Sequence, residues 1–143
     1  MSIQEQLAGT VWELDVYQSE DKFGNINYPL GEDATGIIIF TSDNRLAVQI
    51  MSGEGEKDLT KEELEAYNTE TEKKMARFGY HSYSGPITID EEKGHVTTHV
   101  EISLVSDYVG SKQTRAAKIE GDTLYLSNVE HPERKIVWKK IEN

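Results

Sequence analysis

Residues 95–104 carry the side chains best suited to chemistry. His95, Thr97, His99, Glu101 and Ser103 recur at every second position, and Val96, Thr98, Val100, Ile102 and Leu104 fill the positions between them. Successive side chains of a strand point to opposite sides, so the two sets occupy opposite faces. A histidine near a carboxylate is the pairing that tunes an imidazole for general acid–base work. On an extended strand the Cβ atoms of His99 and Glu101 lie about 7 Å apart, so a direct hydrogen bond between them is not built in. Arg115 follows a chain reversal at SDYVGS, which makes it a counter-ion for Glu101 across two strands. A buried charge needs such a partner. Gln49 and Tyr83, on two further strands, add hydrogen-bonding groups. The candidate ligand-binding set is therefore His99, Glu101, Ser103, Arg115, Gln49 and Tyr83.

Other chemistries fit less well. Imidazole and carboxylate are zinc ligands, but His95 and His99 stand about 13 Å apart along a strand, too far for one ion. No metal and no cofactor are expected. Ser103 lacks a nucleophile elbow, and Ser84-Gly85 does not complete a Gly-x-Ser-x-Gly pattern. The alternative for the whole strand is bland: Val96, Val100, Ile102 and Leu104 face a core, and the polar face is simply wet. Alternation by itself favours that reading, because apolar faces normally point inward.

The elements that would hold these residues are short strands. Eight segments alternate or carry β-formers: 9–18, 35–41, 44–51, 81–90, 94–105, 112–120, 123–127 and 134–141. Tight turns at Ser42-Asp43, Asp90–Gly94 and Gly121-Asp122 join several of them as hairpins. One stretch departs from this pattern. Residues 60–78 open with Thr60 and Glu63, the spacing of a capping box, and repeat Leu64, Tyr67, Thr71, Met75 and Phe78 at helical intervals before Gly79. A meander of eight strands closes most readily as a barrel, which leaves no edge unpaired. Such a barrel holds packed side chains or one small ligand. Closure would make the first and last strands neighbours and bury Trp12 and Trp138.

Composition narrows the partners. The chain has 143 residues, enough for one domain spanning 1–143, and its formal net charge is −11. That sign repels phosphate backbones and anionic membrane surfaces, so neither nucleic acid nor membrane is expected. There is no cysteine, which removes disulfides and thiolate chemistry and fits a reducing, cytoplasmic setting. The N-terminus shows no basic and apolar leader pattern.

Several blocks together resemble the bacterial and fungal lipocalin-like domain proteins. LAGTVWEL is similar to that family's Gly-Thr-Trp opening, with Val11 placed between Thr10 and Trp12. NYPLGEDATGIIIF, NRLAVQIM and YHSYSG are similar to its following strands, and HVEISL with YVGSKQTR to its most recognisable block, Tyr108 standing where a Trp is usual. The resemblance implies an all-β, closed, up-and-down lipocalin-like barrel of about eight strands, with one inserted helix near residues 60–78. It also brings the polar face of 95–103 back into consideration as a cavity wall.

Three functions follow as expectations. One is a binding module for a small, partly apolar molecule, its polar end oriented by Arg115, His99 and Glu101. Another is an isomerase, cyclase or hydrolase using His99 as general acid or base. The third is a solidly packed barrel acting through protein contacts, with the apolar face of 94–105 buried in a homodimer.

Overall fold

A computed structural model describes residues 1–142. Ten strands are formed: β1 (Val11–Glu20), β2 (Ile26–Asn27), β3 (Thr35–Phe40), β4 (Arg45–Met51), β5 (Tyr80–Asp90), β6 (His95–His99), β7 (Ile102–Ser103), β8 (Lys112–Glu120), β9 (Thr123–Asn128) and β10 (Lys135–Glu142). Eight of them pair antiparallel around a closed circuit, β1-β3-β4-β5-β6-β8-β9-β10 and back to β1. The short β2 and β7 are appended to β1 and β5. The barrel and its strand number are those expected from the meander.

Closure rests on the ends of the strand order. β1 and β10 pair from Val11–Glu142 to Gln18–Lys135. Trp12 and Trp138 project inward from these two strands, and each is only 1% exposed. The Trp12 indole N–H donates to Thr10 Oγ1 at 2.8 Å, and Lys140 Nζ lies 5.7 Å from its ring centroid. Emptying such a site removes both burial and close packing. Trp138→Ala is therefore expected to cost about 3–5 kcal/mol in chemical denaturation; an unchanged midpoint would show that closure does not depend on it.

The helical insertion differs from the single helix over 60–78. It is two helices, α2 (Lys61–Glu65) and α3 (Glu70–Phe78), following a short N-terminal helix α1 (Ile3–Leu7). Thr60 and Glu63 do form the capping box of α2. A second cap interrupts the run: the Thr69 hydroxyl accepts from the Glu72 N–H at 3.1 Å and starts α3. Asn68 is drawn to the barrel, its Nδ2 donating to the Glu20 carbonyl at 2.6 Å. α3 ends at Gly79, whose φ of 68° is left-handed and suits glycine. Ser2 and Glu5 make the same capping box for α1, a signal present in the sequence but not among the expected elements.

Two bulges decide which side chains face inward. On β1, Leu14 opposes Trp138 while Val16 opposes Val137, so Asp15 is an extra residue. Beyond it the inward parity changes, and Tyr17 and Ser19 replace Val16 as interior groups. On the strand expected at 94–105, Ile87 opposes Thr98 but Tyr83 opposes Ser103. Four steps on β5 thus match five on the partner, and Glu101 and Ile102 both sit against Ser84, the Glu101 N–H donating to its carbonyl. Gly85 permits the close approach, since a Cβ there would collide with the His99 carbonyl. A bulge of this kind reverses the faces of everything after it.

Candidate functional site

β6 turns Val96 and Thr98 into the core, with Val100 just after it, and His95, Thr97 and His99 away from it. His99 Nε2 instead meets Thr88 Oγ1 at 3.2 Å on the outer wall. Glu101 is exposed and pairs with Arg45, at 3.1 and 3.3 Å to the two Nη atoms. Gln49 lies on the exposed face of β4. Ser103 shares the side of the sheet occupied by Tyr83, but its hydroxyl donates to the Ser82 carbonyl and accepts from the Val105 N–H. Of the six candidate residues, only Arg115 and Tyr83 line the barrel's internal cavity. The expected convergence of His99 and Glu101 with Arg115, and the Glu101–Arg115 ion pair, are corrected by this geometry. An acid–base role for His99 inside the barrel falls with them. So does an apolar outer face along the whole of 94–105: Val96 and Val100 are core, and only Ile102 and Leu104, past the bulge, are exposed.

The interior presents a different cluster. β5 sends His81 and Tyr83 inward, β8 sends Arg115, β1 sends Tyr17, and the 3-10 turn Ser106–Tyr108 swings Tyr108 under the barrel wall. The rings of His81, Tyr83 and Tyr108 pack mutually, with centroid separations of 5.4, 5.4 and 5.8 Å. These groups, with Ile38, Val48, Ile50, Leu126, Ile136 and Trp138, surround a cavity of about 20 Å³. That is room for about one water molecule.

The polar atoms of this cluster are under-satisfied. Arg115 is 6% exposed, and its Nη1 donates to the Thr114 carbonyl at 3.2 Å. Among the described residues no carboxylate pairs with it. His81 Nδ1 and Trp138 Nε1 are buried without a partner. Burial, with the positive charges of Arg115 and Arg134 nearby, pushes the His81 imidazole down to about 3, so it is neutral. Burial raises the phenols of Tyr83 and Tyr17, so both keep their protons.

A second polar network closes the end of the barrel beside this cavity. Glu72 on α3 is fully buried; it accepts from Ser19 Oγ at 2.9 Å and from Arg134 Nη2 at 3.1 Å. Thr69 Oγ1 accepts from the same Arg134 nitrogen at 2.7 Å. Next to it the Tyr17 hydroxyl reaches Met75 Sδ at 3.6 Å, joining the helix to the cavity wall. Glu72 and Arg134 stand 62 positions apart, so no local spacing announces them. His81 and Tyr83 were readable as neighbours on one face of YHSYSG. Tyr17 was hidden by the Asp15 bulge.

A family model described as a lipocalin-like domain matches residues 9–141. The chain belongs to that family. The match takes in every strand of this lipocalin-like barrel except the last residue of β10, and all the residues that line its cavity. Among curated proteins none matches the chain. Among the described residues no helix is long and apolar enough to cross a membrane.

Proposed function

We propose that this lipocalin-like barrel is a binding module for a small, partly apolar molecule held in its interior. Arg115 and Tyr83, with Tyr108 and His81, would meet the polar end. Ile38, Val48, Ile50 and Leu126 would supply the apolar wall. The observation that carries this reading is the convergence of a buried arginine, a neutral imidazole, three phenols and an indole on one cavity otherwise walled by hydrocarbon. A few polar groups converging in an apolar enclosure are the ordinary make-up of a small-molecule site. The present cavity holds little more than a water, so a larger guest requires the wall at the Tyr108 turn to shift outward. That turn is a three-residue segment between β7 and β8, whereas α3 is held by the buried Glu72–Arg134 pair.

The test is a binding panel of acids, alcohols and amines of six to ten carbons, followed by tryptophan fluorescence and thermal unfolding. At least one class is expected to bind one-to-one, change the emission of Trp138 and raise the unfolding midpoint. At a hundredfold excess over Kd the gain in stability is about 2.7 kcal/mol. Val48→Phe, which fills the interior from β4, should abolish binding while leaving the circular-dichroism spectrum of the barrel. Binding that survives this substitution, or no binding by any member, would overturn the reading.

A further inference from the structure

The interior charges do not balance. Among the described residues Glu72, Arg115 and Arg134 are the buried members of the charged set, and His81 is buried beside them. Glu72 and Arg134 neutralise each other at 3.1 Å. Arg115 is left over, so a chain of net charge −11 encloses one uncompensated positive charge. A guanidinium cannot shed its proton to escape the cost, and an unpaired buried cation is among the least favourable groups a core can contain.

Two neutral groups around it carry nitrogens without partners. The Trp138 indole is a donor only, and it has no acceptor. His81 Nδ1 also lacks a partner and offers an N–H in one tautomer. Tyr83 and Tyr108 each have a hydroxyl proton to give and an oxygen that accepts. Among the described residues no carboxylate lines the cavity, and its acceptors are the neutral phenol oxygens and imidazole.

We propose that the polar end of the ligand is a single carboxylate, paired with Arg115 and approached by the Trp138 indole N–H, on a small apolar tail. This rests on the binding reading above and names its ligand class. A guanidinium and a carboxylate match in shape as well as charge, forming two parallel hydrogen bonds. One guanidinium matches one negative charge, which favours a carboxylate over a phosphate dianion. An amine would be repelled by Arg115, and an alcohol would leave its charge uncompensated. The surrounding Ile38, Val48, Ile50 and Leu126 suit a hydrocarbon tail.

The sequence contains two tryptophans, so a ¹⁵N-labelled sample gives two indole signals, assigned by Trp12→Phe. The probes are hexanoate, hexan-1-ol and formate, titrated at pH 7. Hexanoate should shift the Trp138 signal and leave that of Trp12, already bonded to Thr10, in place. It should bind at least tenfold more tightly than hexan-1-ol. In Arg115→Met that preference should vanish while hexan-1-ol still binds. Equal affinities for acid and alcohol in the unmodified protein, or a preference that survives Arg115→Met, would overturn the carboxylate and leave the binding reading intact. Formate binding as tightly as hexanoate would uphold the anion and overturn the apolar tail. No shift of Trp138 with any probe would overturn both. The comparison of acid with alcohol needs no variant, so it decides the matter even if Arg115→Met fails to fold; Arg115→Lys, which keeps the charge, should retain part of the preference.

Discussion

Glu72→Gln is expected to destabilise the protein by about 3–5 kcal/mol, the cost of breaking a buried ion pair from one side. The carboxylate accepts from Ser19 on β1 and from Arg134 just before β10, and it sits on α3 with no exposure to water. Removing its charge strands Arg134 in an interior that already holds an unpaired Arg115. Two uncompensated cations would then share one small core. Glu72→Met with Arg134→Met should recover most of the loss, because two apolar side chains of similar length replace the pair without stranding a charge. Urea unfolding of the two variants beside the unmodified chain measures both effects. A loss below about 1 kcal/mol for Glu72→Gln would mean that the network is wetter than its burial indicates.

Acid should unfold the protein partly through His81. Its folded pKa is depressed to about 3 from an ordinary 6.5, chiefly by burial and then by Arg115 and Arg134. Between those values the unfolded chain takes up a proton that the folded one refuses. The contribution to stability is therefore intact above pH 6.5 and falls as the pH drops toward 3. At about 1.4 kcal/mol per pH unit, the loss from this one group by pH 4 is roughly 3 kcal/mol. His81→Gln, which cannot titrate, should lose that much less stability between pH 7 and pH 4. The comparison cancels the carboxylates common to both proteins. Parallel pH profiles for the two would remove His81 as the cause.

Side-chain alternation made the strands, their order and the closure legible, because period two is written in residue type. The face that each strand turns inward was legible only as far as the first bulge. Asp15 and the Glu101–Ile102 pair look like ordinary strand residues; their extra place in the register depends on partners such as Trp138 and Ser84, far away in the chain. For that reason Val16, Ile102 and Leu104 leave the interior and Tyr17 enters it. His99 and Glu101 drew attention because chemistry-bearing residues at alternate positions suggest a site, yet the hydrophobic face of the same strand wins the interior. Arg115 was visible as a candidate, but its expected partner was not the real one: Glu101 pairs outside with Arg45. The Glu72–Arg134 pair joins an insertion to the last strand and has no local signature at all.

The seam between β1 and β10 also sets a timetable. Residues 11–18 wait for partners at 135–142, so a chain emerging from the ribosome carries an open, curved sheet with two free edges until its last strand is made. Local hairpins such as β3–β4 and β8–β9 form early, because their ends are near in sequence. The seam is expected to form last, since it closes the longest loop in the molecule. During that interval the unpaired edge of β1 is exposed to neighbouring chains. Slow synthesis near residue 135, or truncation before it, should therefore favour aggregation over any partly functional barrel.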